Sequence, residues 1–285
     1  MSQPPQAIAA GRPPAAPVYD SARTPPPFVD ELLALWRYRD LLTQLITRDL
    51  TTRYKRSILG VAWTLLNPLM MMVVLTLVFS QLFRFQIRNF PVYLLSALIL
   101  WSFVSQTTTN AMSNLIWGGT LLAKIYVPRT IFAVTSVGTG LVNLAISLVP
   151  LLIIAALTGL PPTWSLLTLP AAIAFSALFA LGLGLLLSSL ALSFRDVIDM
   201  YQIVLTAWYF LTPIIYPRSI LPEQAQWLLN FNPMFHLVEA FRAPVYSLTP
   251  AGPHTFVAAA GVGLGTFVIG WLVFTARART IPYQI

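Results

Sequence analysis

The feature that most limits this chain is a run of 27 uncharged residues, Ser57 to Phe83, that begins directly after Arg53, Lys55 and Arg56. The hydrocarbon core of a bilayer is about 30 Å thick, and about 20 apolar helical residues cross it. In that medium every backbone N–H and C=O must find a partner within the protein, so such a run reads as a helix. A basic collar at its start places that end on the cytoplasmic side. Asn67-Pro68 lies inside the run, where proline removes a backbone donor and bends the helix.

Composition extends this to the whole chain. The protein has 285 residues, of which 57% are hydrophobic and 9% charged, against about 25% charged in a soluble domain; its mean hydropathy is +0.74. It reads as an all-α integral membrane protein. The absence of cysteine excludes disulfides and thiolate metal sites. The only two histidines, His236 and His254, argue against a multi-histidine metal centre. The net charge of +8 bears on orientation, and no nucleic-acid partner is expected. Residues 1–27 hold eight of the 23 prolines and no apolar core for a secretory signal. They read as a disordered, proline-rich cytoplasmic tail.

Further charge-free blocks cover Asn89–Ala123, Thr130–Phe194, Met200–Pro217 and Ala243–Ala276, and Thr158–Ser165 divides the longest with a turn. Six spans result, at about 58–83, 92–116, 130–157, 166–193, 200–216 and 256–275. With the N-terminus inside, 13 of the 17 basic residues fall in cytoplasmic segments and four outside, which predicts that both termini are cytoplasmic.

Two segments fall outside that pattern. Within 28–57, Phe28, Leu32, Leu35, Trp36, Leu42, Ile46 and Leu50 share a helical stripe roughly 120° wide, which suits an amphipathic helix along the inner membrane surface. Arg39 and Thr43 interrupt the stripe, so a break near Tyr38 is expected. Residues 217–255 are too apolar for a solvated loop and too short and polar to span twice. A re-entrant helical hairpin on the outer side, between spans five and six and turning at Asn232-Pro233, meets both constraints.

The chemistry of a self-sufficient pump or enzyme is missing. No GxxxxGK[ST] phosphate loop, HExxH or acidic metal-ligand repeat occurs. No ionisable residue falls in the middle of a predicted span, where a proton-coupled transporter needs one. Uphill transport would therefore draw its energy from another polypeptide.

The remaining candidates are polar and aromatic. Gln106, Asn110 and Asn114 recur every four residues and share one helical face. They suit either a lining for a hydroxyl-rich substrate or hydrogen bonds between helices. Trp63, Tyr209 and Tyr216 are rings that can stack on sugars or sit at interfaces; with the three amides they form the candidate substrate pathway. Gly261 and Gly265 form a GxxxG, with Gly263 between and Gly270 beyond, and suit close helix packing; so do Gly182 and Gly184. Asn232, His236, Glu239 and Arg242 are the candidate gate of the hairpin, with a structural ion pair as the plainer account of the last two. Ile125, Tyr126 and Val127, flanked by Lys124 and Arg129, make an apolar tip on a cytoplasmic loop, which suits docking of a partner.

The segments RDLTTRYKRSILGVAWTLLNPLMMMVV at 48–74, LLAKIYVPR at 121–129, FRDV at 194–197, TPIIYP at 212–217 and NPMFHLVEAFR at 232–242 resemble, in order and spacing, the ABC-2 type membrane subunits that export polysaccharides such as O antigen, capsule and teichoic acid. The resemblance implies a homodimeric permease in a bacterial inner membrane, with one nucleotide-binding subunit under each protomer. It implies that Lys124, Ile125, Tyr126, Val127 and Arg129 form the coupling helix. ATP and Mg would be held by the partner ATPase, with no cofactor in this chain, and the cargo would be a polyprenyl-linked polysaccharide. The competing readings are an exporter of a drug or small lipid with the same fold, and a membrane enzyme acting on lipid-linked sugars.

Overall fold

The computed structural model describes residues 27–55, 60, 62–79, 87–117, 127–194 and 196–278. The proline-rich tail and Lys124, Ile125 and Tyr126 of the predicted coupling loop lie outside the described residues. Among the described residues there are ten α-helices and no strand: α1 Pro27–Arg37, α2 Arg39–Tyr54, α3 Ala62–Leu77, α4 Phe90–Trp117, α5 Thr130–Leu157, α6 Leu169–Ala191, α7 Val197–Leu211, α8 Glu223–Phe231, α9 Pro233–Tyr246 and α10 Pro253–Ala278.

Four of these, α4, α5, α6 with its leading 3-10 turn, and α10, are long and apolar enough to cross a membrane. The apolar helices α3 and α7 are shorter, with 16 and 15 residues. At 1.5 Å per residue they reach only about 23 Å. The predicted fifth span therefore stops at Leu211 instead of 216. The cause is Pro213: a residue before proline is pushed out of the helical region, and Thr212 is extended at φ −97° and ψ 134°.

The other boundaries have local causes as well. The chain breaks at Tyr38, as the interrupted stripe predicts. Gly159, at φ 84°, ends α5: its N–H bonds to the Ala156 carbonyl and that of Leu160 to the Ala155 carbonyl, a paired closure that needs a left-handed residue. At Asn232-Pro233 the chain turns from α8 into α9, with the Asn232 side chain accepting from the Met234 N–H and proline following the cap.

Helix α4 is the centre of the bundle. The apolar window that makes it membrane-length is 78% buried, against 22% for α5 and for α10. It packs on α5, α6, α9, α3 and α7, and its Leu94, Leu95 and Leu100 are fully buried. The most extensive pairing is α6 with α10. There the contact glycines are not the GxxxG pair expected from the sequence. A Cβ on Gly270 would strike the Gly182 backbone, and one on Gly263 the Phe175 backbone, whereas Gly261 and Gly265 meet nothing. The spacing of seven between 263 and 270 is two helical turns, which aligns both with the facing helix.

The two ends of the bundle differ. At one end α1 and α2 pack on the start of α5 and the end of α10. Leu45, absent from the predicted stripe, is the most buried of the described side chains of α2 and joins Val127, Ile131, Phe132, Trp271 and Phe274. Phe28, Leu32 and Trp36 stay exposed. At the other end the start of α4, the α5–α6 turn and the end of α9 converge: Tyr246 Oη donates to the Arg88 carbonyl, and Ser165 Oγ to the Pro244 carbonyl.

Candidate functional site

Three polar ladders meet in one cleft of about 500 Å³. Helix α4 contributes Ser102, Gln106 and Asn110 at i, i+4 and i+8, with Thr107 beside them; α5 contributes Thr139, Asn143 and Ser147 at the same spacing; α3 contributes Trp63, Thr64 and Asn67. Four-residue spacing keeps each ladder on one helical face. Gly140 lets α5 approach α4, since a Cβ there would collide with Thr107 and Phe103. The buried hydroxyls of Thr107 and Thr139 have no hydrogen-bond partner among the described residues. Buried polar groups are normally satisfied, so these two leave hydrogen-bonding capacity unused at the wall of the cleft.

A second cavity, of about 560 Å³, adjoins the first and shares Asn110 and Thr139 with it. Arg48, Asp49 and Thr52 of α2 wall its other side. Together the two make a groove from α2 up the α4–α5 seam, in which the polar ladders stand beside the apolar Pro68, Ile99, Phe103 and Leu144. Its charges sit at the α2 end, where Arg48 and Asp49 pair at 2.9 Å. Asn114 donates to Ser136 Oγ at 3.1 Å and so ties α4 to α5 while lining the groove. The α5 ladder was missed in the sequence, although its spacing of four is as legible as that of Gln106, Asn110 and Asn114.

The structure divides the six predicted pathway residues. Trp63, Gln106, Asn110 and Asn114 line the groove. Tyr209 and Tyr216 do not join it. Tyr209 faces a separate cavity on the α7 side of α4, with Trp101, Ser105 and Gln202, and meets the Trp101 ring edge-on at 5.5 Å. Tyr216 Oη donates to the Phe210 carbonyl. Positions 101 and 105 lie 100° around α4 from 102 and 106, which is why single-sequence reading merges the two faces.

The predicted gate residues form a clamp. Asn232 uses its whole amide: Oδ1 accepts from Trp208 Nε1 at 2.8 Å and from the Met234 N–H, and Nδ2 donates to the Leu211 carbonyl and Thr212 Oγ1. One side chain thus caps α9 and holds the end of α7. Arg242, 2% exposed, pairs with Glu239 at 2.9 Å, donates to the Pro213 and Ile214 carbonyls, and lies over the Tyr93 ring. These carbonyls belong to the irregular segment that follows α7, so the guanidinium supplies partners that no helix provides there. His236 stands apart from the ion pair and donates to the Asn230 carbonyl.

Of the predicted coupling residues, Val127 and Arg129 are described. Val127 is buried within the chain, so it is not part of an exposed tip. Arg129 leads into α5. Beside it Thr130 donates to Glu31 of α1 at 2.7 Å. Burial pushes the Glu31 carboxyl above its ordinary value, against the opposing pull of that hydrogen bond. Glu31 gave no sequence signal, because its partner lies 99 residues away. Among the described residues no three His, Asp or Glu side chains converge as metal ligands.

Comparison with known proteins places residues 40–246 in the family described as ABC-2 type transporter. The O-antigen export system permease protein RfbA of Myxococcus xanthus is 33% identical over 234 residues, covering 81% of this chain and 90% of that protein. RfbA of Klebsiella pneumoniae is 26% identical over 71% of this chain and 79% of its own length. The polysialic acid transport protein KpsM of Escherichia coli is 27% identical over 70% and 79%.

Proposed function

Because this chain belongs to the ABC-2 type transporter family, we propose that it is the permease subunit of an ATP-driven exporter of a lipid-linked polysaccharide. Similarity to O-antigen and polysialic acid transport proteins over most of their length favours a glycan over a drug or small lipid. Two copies of the chain enclose the path in a bacterial inner membrane, and two separate ATPase subunits bind ATP and Mg beneath them. Both termini are cytoplasmic, by the bias of basic residues. On this reading α3 and α7 complete six spans, with α8 and α9 as the re-entrant pair on the outer side. Loop 120–129 is the coupling segment; Lys124, Ile125, Tyr126 and Arg129 transmit ATPase closure to the bundle, and Thr130–Glu31 ties the start of α5 to α1.

The observation that carries the reading is the row of uncharged polar side chains along the groove. Amides and hydroxyls with one indole, Trp63, suit repeated weak contact with sugar hydroxyls and ring faces. Tight binding would stall a polymer, and the groove offers no fixed charge beyond its mouth. Glycan enters past Arg48, Asp49 and Thr52 and follows Asn114, Asn110 and Gln106. Asn110→Leu tests this. Export per folded protein should fall while detergent stability stays near wild type. A structural helix contact would instead lose ~0.6–1.7 kcal/mol of stability with normal export per folded molecule, and that result would remove the groove from the path.

A further inference from the structure

At the end of the bundle opposite α1 and α2, three connections wall a cavity of about 250 Å³: Arg88 and Asn89 before α4, Gly159 and Leu160 after α5, and Tyr246 to Leu248 after α9. It is several times the ~30 Å³ share of one water. One lining residue, Asn89, has a buried Nδ2 with no hydrogen-bond partner among the described residues. The Arg88 side chain pairs with no carboxylate among them, and no acidic residue lines the cavity. The Tyr246 hydroxyl is already committed to the Arg88 carbonyl. The lining thus brings together Arg88, Asn89 with an unused amide N–H, and Ser247, with no carboxylate among the lining residues to balance the arginine.

We propose that this cavity binds a phosphate group. Its donors are of the kind that pair with phosphate oxygens, and a guanidinium does so with directional, charge-assisted bonds. On the orientation given above, from which the placement follows although the chemistry does not depend on it, the cavity lies at the outer headgroup level. A phospholipid phosphate would there bridge the start of α4, the α5–α6 turn and the end of α9; a free phosphate would use the same donors.

The test uses the full chain in detergent, freed of lipid, with two probes: phosphatidylglycerol read by native mass spectrometry, and inorganic phosphate against chloride at equal ionic strength read by thermal shift. Arg88→Gln should weaken binding about tenfold or more, the scale of one charged hydrogen bond. Asn89→Asp should weaken it at least as much: it keeps the shape and tolerates φ 50°, but turns a donor into a repelling carboxylate. Neither side chain makes a hydrogen bond or an ion pair with a carboxylate among the described residues, and if Arg88→Gln fails to fold, Asn89→Asp decides alone. Retention of phosphatidylglycerol without response to phosphate assigns the site to a headgroup; response to phosphate alone assigns it to the free ion. A wild type that binds neither, or a folded Asn89→Asp variant that binds like wild type, overturns the proposal. Because the readout is binding, this outcome stands apart from success or failure of export.

Discussion

Asn232 offers the sharpest test of how the α8–α9 pair is held. As a helix cap alone, it would be replaced well by serine, which caps about equally. The structure gives it four hydrogen bonds, of which only the one to Met234 is capping. The other three join Trp208, Leu211 and Thr212 at the end of α7. Serine is too short to make them. Hydrogen bonds between helices in a membrane contribute ~0.6–1.7 kcal/mol each. The three sum to ~2–5 kcal/mol, and correlated loss brings the expectation for Asn232→Ser to about 2–3 kcal/mol. Reversible unfolding in mixed micelles, followed by tryptophan fluorescence, measures this. Trp208→Phe keeps the ring contacts to Trp101 and Phe179 but removes the indole donor, so the double mutant with Asn232→Ser should show coupling of at least ~0.5 kcal/mol. Stability of Asn232→Ser within ~0.5 kcal/mol of wild type, or an additive double mutant, would refute the clamp and leave only a cap.

Three further outcomes are expected. Gly182→Ala, whose Cβ would press on the Thr266–Phe267 backbone, should destabilise by ~1–3 kcal/mol, while Gly261→Ala, in open space, should be neutral or gain up to ~1 kcal/mol of helix propensity; thermal melts of both variants decide. The Glu31 carboxyl is raised by burial, so its contribution is fully present below the ordinary carboxylate value of 4.5 and is lost as pH rises through the higher folded value. Glu31→Gln should therefore flatten that pH dependence and be more stable than wild type at pH 7; a less stable variant would show that the Thr130 bond outweighs desolvation. In this cysteine-free chain, single cysteines at Arg88 and Glu223 should react with an impermeant thiol reagent added outside, and one at Arg277 should not; the reverse pattern would invert the topology.

The sequence by itself determined the membrane class, the approximate apolar segments and the family, because each rests on composition, charge order or local spacing. The Tyr38 break and the Asn232-Pro233 turn were legible for the same reason: each depends on residues adjacent in the chain. Tertiary structure decided which faces meet. A spacing of four marks a helical face but not its neighbour, so Gln106 and Asn110 find Asn143 across the groove while Tyr209 faces the other side of α4. The glycine contact falls on Gly263 and Gly270 for a similar reason, since the rotation of α10 against α6 is set by the whole interface and not by a motif. Asn232, Arg242 and Glu31 take their partners from other segments of the chain. Periodicity carries no information about such contacts, and only packing of the complete bundle brings these donors and acceptors within reach.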